Sequence, residues 1–212
     1  MSAVNIEWHY AEAPIAQFIF AHGAGAGSDS DFMQEMAKLL AAAGIQVGLF
    51  DFEYMQQAKR EGKKRPPERA PKLLAYFEQV LEAADPELPL FIGGKSMGGR
   101  MASMLACETA VKLQGVLAFG YPFHPPGKPE KLRVDHLPEL KCPMLILQGE
   151  RDTFGNRTEV DAMSFPEQIT VKWLKDGDHS LKPRKVSGVS ESESRANAAA
   201  IAVNFIKERF DG

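Results

Sequence analysis

The chain has 212 residues, a formal net charge of −3, 44% hydrophobic residues and 25% charged ones. That is enough chain for one domain with a full core and too little for two ordinary ones, so a single domain over residues 1–212 is expected. The near-neutral balance lacks the basic excess of a dedicated nucleic-acid or membrane-surface binder, and neither is expected as a partner.

Taken in order, short apolar runs alternate with longer amphipathic ones. The opening stretch to Pro14 has neither the basic start nor the apolar centre of a leader peptide. No apolar run reaches the roughly 18 residues that a spanning helix needs, so a reducing cytoplasm is the expected location. Residues 4–9 alternate, meet the turn-like Glu12-Ala13-Pro14 and pass into Gln17-Phe18-Ile19-Phe20-Ala21. That pair reads as an antiparallel hairpin. Residues 29–43 carry Phe32, Met36, Leu39 and Leu40 at helical spacing, with Gly44 placed to stop the helix. A strand follows at 46–50, then a polar, basic stretch at 53–71 that reads as a long loop.

The second half repeats the alternation. A helix over 71–84 presents Leu73, Leu74, Phe77, Val80 and Leu81 on one face. A strand at 88–93 runs almost directly into a helix at 97–109. Strands at 115–119, 144–148 and 170–174 follow, with a proline-rich loop at 122–138. A closing helix over 194–210 carries Ala198, Ile201, Ala202, Phe205 and Ile206. Continuous apolar strands separated by helices predict a three-layer α/β/α sandwich around a mostly parallel sheet of about seven strands.

The chemistry centres on Gly94-Lys95-Ser96-Met97-Gly98, a GxSxG pentapeptide. Alone it is a weak signal. Its position between a strand and a helix is that of a strained turn which lifts a serine hydroxyl above a sheet edge. Residues two places either side of such a serine must lack a Cβ, because the turn is crowded. The turn also aims amide N–H groups at the start of the helix toward a substrate oxygen.

A serine nucleophile needs a base, and His179 is the candidate among five histidines, in a polar loop after the last strand. Asp152, just past the strand at 144–148, is the candidate acid that orients it, with Glu150 the near competitor. Asp176 and Asp178 flank the histidine too closely in sequence to approach its ring from behind. The small residues of His22-Gly23-Ala24-Gly25-Ala26-Gly27 let backbone approach a ligand, so the Ala24 and Met97 amides are expected to form an oxyanion hole. His22 is expected to hold that loop, and Gly25 to border the substrate. The order Ser96, Asp152, His179 differs from the chymotrypsin and subtilisin orders and matches the α/β-hydrolase one.

With these motifs the sequence resembles the α/β-hydrolase superfamily over nearly its whole length, and most closely the small, lidless, dienelactone-hydrolase-like group. Within it, His22-Gly23-Ala24-Gly25, Gly94-Lys95-Ser96-Met97-Gly98-Gly99-Arg100 and Gly120-Tyr121-Pro122-Phe123-His124-Pro125-Pro126-Gly127 are similar to bacterial relatives of the testis-expressed and NSL-complex subunit 3 hydrolase-like proteins. Dienelactone hydrolases proper use cysteine where this chain has Ser96, so their lactone substrate is not implied. The resemblance implies a serine hydrolase acting on a small ester or thioester without metal or cofactor. The rival readings are a silent scaffold of the same fold, or an amidase, peptidase or acyltransferase with the same three residues.

Three features stand outside this core reading. Tyr121, Phe123 and His124 follow a strand at the active edge and are expected to line the acyl or leaving-group pocket. The basic stretch at 59–69 is either a solvated loop or a border of the site mouth that attracts an anionic acyl group. Cys107 and Cys142 have no metal-ligand or redox spacing and read as reduced, buried thiols.

Overall fold

The structure, a computed structural model, describes residues 4–210. Its frame is a seven-stranded sheet in the order β1-β3-β2-β4-β5-β6-β7. The strands are β1 (Ile6–His9), β2 (Ala16–Ala21), β3 (Ile45–Phe50), β4 (Leu90–Lys95), β5 (Gly115–Phe119), β6 (Met144–Gly149) and β7 (Ile169–Leu174). All neighbours pair in parallel except β1, which runs antiparallel to β3 with Ile6 opposite Phe50.

The expected hairpin between the first two strands does not form. β2 instead pairs on both sides with parallel strands, β3 and β4. The reason is burial: every residue of β2 is buried, so it needs strand neighbours on both edges and helices on both faces, whereas β1 is half-exposed and serves as an edge. A helical crossover joins β2 to β3, as a parallel pair requires.

The helices are α1 (Asp31–Ala42), α2 (Glu53–Glu61), α3 (Ala70–Leu81), α4 (Met97–Glu108), α5 (Arg157–Asp161) and α6 (Glu191–Lys207). α1 buries Phe32, Met33, Met36, Ala37 and Leu40, the i, i+4 stripe visible in the sequence. α2 and α5 were not expected. α2 sits inside the stretch read as a loop, because only Tyr54 and Met55 of its nine residues are buried and the rest is polar. α5 is a five-residue turn fixed by a capping box, with the Asn156 side chain accepting from the Glu159 amide and Glu159 bonding back. The same device at Ser190 and Glu193 starts α6 three residues earlier than its apolar face suggests.

Alternation along the strands splits the core into two layers. Ile19, Ile92, Val116 and Ile146 face one side, with the buried residues of α2, α3 and α4. Phe18, Phe20, Leu117 and Leu145 face the other, against α1 and α6. Each such side chain contributes about 1.5–3 kcal/mol of burial, which fixes the register of the strands and the height at which each one ends. Cys107 and Cys142 are free thiols, and burial holds both above the usual thiol range. Among the described residues no helix is long and apolar enough to cross a membrane.

Candidate active site

Four strands deliver their C-terminal ends to one edge of the sheet, and the chemistry-bearing residues sit just beyond them. β4 ends at Lys95 and α4 begins at Met97, so Ser96 alone makes the turn. It does so at φ 52 and ψ −115, a strained conformation for a residue with a side chain. The glycines around it are compulsory. A Cβ on Gly94 would lie 2.3 Å from the Gly98 carbonyl carbon, and one on Gly98 would lie 2.4 Å from the Ala21 carbonyl oxygen. The turn is therefore wedged between α4 and the end of β2.

The structure brings together the residues expected to act with Ser96. The Ser96 hydroxyl oxygen is 2.8 Å from His179 Nε2. His179 Nδ1 is 2.8 Å from one Asp152 carboxylate oxygen and 3.0 Å from the other. With Nδ1–H donating to the carboxylate, Nε2 is left to accept the Ser96 proton. Burial pushes the imidazole below its usual value, the Asp152 bond opposes this, and the nearby Lys95 charge lowers it further. The ring is thus a neutral base at neutral pH.

Several contacts fix that base in place. The Phe154 ring stacks on His179 with centroids 4.0 Å apart. The Lys95 ammonium donates to the His179 carbonyl oxygen from directly before the nucleophile. Asp152 is fully buried and also accepts from the Phe154 amide at 2.8 Å and from Gln148 Nε2 at 2.9 Å. Gln148 is the residue that sequence reasoning missed. Fully buried on β6, it also donates to the Tyr121 and Gly155 carbonyls and accepts from the Tyr121 amide. Its only sequence signal was a polar residue closing an otherwise apolar strand.

The rival acids are occupied elsewhere. Glu150 accepts from the Asp176 amide and from Arg157. Asp176 binds Arg184 and Arg151, and Asp178 caps the amides of Ser180 and Lys182.

On the other side of Ser96 runs the loop after β2. His22 is buried and held below its usual value by desolvation. Its Nδ1 donates to the Gly23 carbonyl at 2.6 Å, and its Nε2 accepts from the Phe52 amide at 3.1 Å, so it is a neutral brace. Asp51 Oδ1, 3.8 Å from Nε2, is consequently not an ion-pair partner of that ring. The Tyr54 hydroxyl reaches the Ala24 carbonyl at 3.1 Å, and Lys59 bridges Asp29 and Asp51, which also holds the Ser28 amide. Ala24 and Met97 line the same cavity as Ser96, and neither amide donates to a loop or turn carbonyl. Backbone N–H groups are the kind of donor that can stabilise a developing oxyanion.

The pocket residues expected from the proline-rich segment are placed differently. Tyr121 and Phe123 are fully buried and pack on each other, and Phe123 also packs on Phe165. His124 is 2% exposed and bonds to Pro125 and Glu159. None of the three lines the cavity over Ser96, to which that segment contributes Pro122 and Arg133. The hydrophobic pair is better satisfied beneath the loop than in open solvent. Gly25 borders a neighbouring cavity of about 300 Å³ with Lys59, Lys63, Lys64 and Arg65, which shares Ala24 with the cavity over Ser96.

Comparison with known proteins places these observations in a family. A model of the alpha/beta hydrolase domain matches residues 14–207. Among solved structures, a dienelactone hydrolase of Anabaena variabilis superposes with a TM-score of 0.71 at 19% identity, covering 95% of this chain and 89% of that one. A lidless α/β serine hydrolase of Xanthomonas campestris gives 0.64 at 16% identity, covering 93% and 88%. These likenesses concern the fold. In sequence, a candidate monoglyceride lipase of Schizosaccharomyces pombe is 31% identical over 112 residues, which is 50% of this chain and 29% of that protein. The chain thus spans under a third of that relative's length.

Proposed function

The chain belongs to the alpha/beta hydrolase domain family, and from that footing we propose that it is a serine hydrolase cleaving a carboxylic ester or thioester through an acyl-serine intermediate. The observation that carries the reading is the unbroken line from Ser96 through His179 to buried Asp152, with both links at 2.8 Å. A serine that served only the turn would need no neutral imidazole at its hydroxyl, and no carboxylate behind it.

In this reading His179 Nε2 takes the Ser96 proton as the serine oxygen bonds to the acyl carbon. The carbonyl oxygen becomes negative and is met by the Ala24 and Met97 amides. The C–O or C–S bond then breaks, and His179 returns the proton to the departing alcohol or thiol. Water attacks the acyl-serine with the same base, releasing the acid and restoring the hydroxyl. Asp152 holds the imidazole tautomer and stabilises the imidazolium that forms in each step. The family and the fold of its lidless members support a hydrolase, and the restricted cavity supports a small substrate.

A fluorophosphonate probe followed by intact mass tests this directly. One adduct, mapped to Ser96 and absent from Ser96→Ala, is the expected result. No adduct on folded protein would remove the serine-hydrolase reading and leave a binding role for the fold.

A further inference from the structure

The cleft over Ser96 has a feature that acyl transfer by itself does not use. Its cavity, about 280 Å³, is lined by Arg100 and Arg133 together with Ser96 and Met97. Arg100 lies one turn into α4, its amide donating to the Ser96 carbonyl at 3.1 Å. Arg133 comes from the segment between β5 and β6. The Tyr121 hydroxyl donates to its carbonyl at 3.0 Å, and its amide donates to the Phe123 carbonyl at 2.8 Å. The buried Tyr121 and Phe123 thus position a cleft residue that they do not themselves replace.

Among the described residues neither the Arg100 nor the Arg133 guanidinium enters an ion pair. Arg100 Nε is buried with no hydrogen-bond partner at all. The one acid on the cavity lining, Glu68, is held by Lys72. Burial and the like charge of Arg100 both hold Arg133 below its usual value. On the far side, His136 bonds to Ser103, and burial together with Arg100 pushes it to about 4, so it is neutral and offers the two arginines no counter-charge. Two like charges with an unmet buried donor are unfavourable unless something anionic fills the space between them and solvent. The planar fork of a guanidinium matches a carboxylate or phosphate.

We propose that the substrate of the Ser96 site carries an anionic group, a carboxylate or a phosphate, which Arg100 and Arg133 hold while the scissile carbonyl lies over Ser96. The cavity is at the lower edge of the roughly 300–1,000 Å³ usual for small-molecule sites, which suits a short acidic substrate rather than a long acyl chain. The bond cleaved rests on the serine-hydrolase reading, and the anion site does not. The anion itself is unchanged by the reaction.

Matched ester pairs test the proposal. Monoethyl glutarate against ethyl glutaramate puts the charge on the acyl half. 3-Acetoxybenzoate against 3-acetoxybenzamide puts it on the leaving half, and 3-acetoxyphenyl phosphate against 3-acetoxyanisole replaces carboxylate by phosphate. In at least one pair the anionic member should be favoured by about tenfold or more in kcat/KM, and that ratio should fall toward one in Arg133→Gln and in Arg100→Gln. Arg133→Gln is a loop substitution whose folding circular dichroism can check. A parallel arm measures thermal stabilisation of Ser96→Ala protein by glutarate and by inorganic phosphate, with and without Arg133→Gln. Saturable stabilisation lost in that variant is expected. If no ester is turned over and no probe labels Ser96, the hydrolase reading fails while this binding arm still decides the anion site. Equal turnover within every pair, a preference that survives both substitutions, or no anion-dependent stabilisation would overturn the proposal.

Discussion

The corner of the site at the ends of β6 and β7 and the wall formed by α4 and the β5–β6 segment treat their polar groups in opposite ways. At the corner every acceptor of Asp152 is occupied, His179 is held at both ring nitrogens, and its carbonyl is tied to Lys95. On the wall, Arg100 and Arg133 line the cavity, neither has an ion-pair partner among the described residues, and Arg100 Nε is buried unmet. The difference separates two tasks. Groups that must move a proton along one line gain from being fully satisfied and immobile before substrate arrives. Groups that recognise a substrate must keep their hydrogen-bonding capacity free until it does.

The largest effect should come from breaking the satisfied corner. Ser96→Ala or His179→Ala should lower kcat by about ten-thousand-fold or more with little change in melting temperature. A loss under tenfold in either variant would remove the roles assigned here. Next in size is Gln148→Leu, which removes one of the two donors to an Asp152 oxygen, the Gln148 donor to the Gly155 carbonyl and the acceptor of the Tyr121 amide. It should cost about 1–3 kcal/mol of stability and reduce kcat, because a loosened carboxylate no longer holds the imidazole. A stability loss with kcat and its pH profile untouched would make Gln148 a packing residue only.

That pH profile has a defined direction in the native enzyme. The folded His179 pKa lies below its ordinary value of about 6.5, so the base remains deprotonated below that pH. The acid limb of kcat/KM should therefore fall with a midpoint under about 6.5, and a higher midpoint would contradict a desolvated base. The smallest effect belongs to the outer rim. Replacing Lys63 and Lys64 by Glu should raise KM for anionic esters by a few-fold, with the change fading at high salt, since these charges are exposed. An equal change for neutral esters would show that the segment shapes the mouth rather than attracting charge.

Much of this was legible in the chain because it is written in local rules. The apolar runs located each of the seven strands to within two residues, and the stripe of α1 and the strand-turn-helix around Ser96 follow from periods and glycine placement. Asp152 and His179 were legible because each follows a recognisable strand end, and strand ends in a parallel sheet share one edge. The sequence could not tell which strands are neighbours. Pairing β1 with β3 rather than β2 depends on which edges must be buried, a property of the assembled sheet. It could not separate α2 from a loop, because that helix is held by two buried residues and a polar surface. It also could not assign Gln148, Arg100 and Arg133. Their meaning lies in what surrounds them: a buried amide with four hydrogen bonds, and two guanidinium groups lining one cavity with no ion-pair partner among the described residues. Periodicity and motif spacing set the elements and the reacting line, whereas satisfaction of polar groups is a three-dimensional sum over distant segments, and only the tertiary structure decides it.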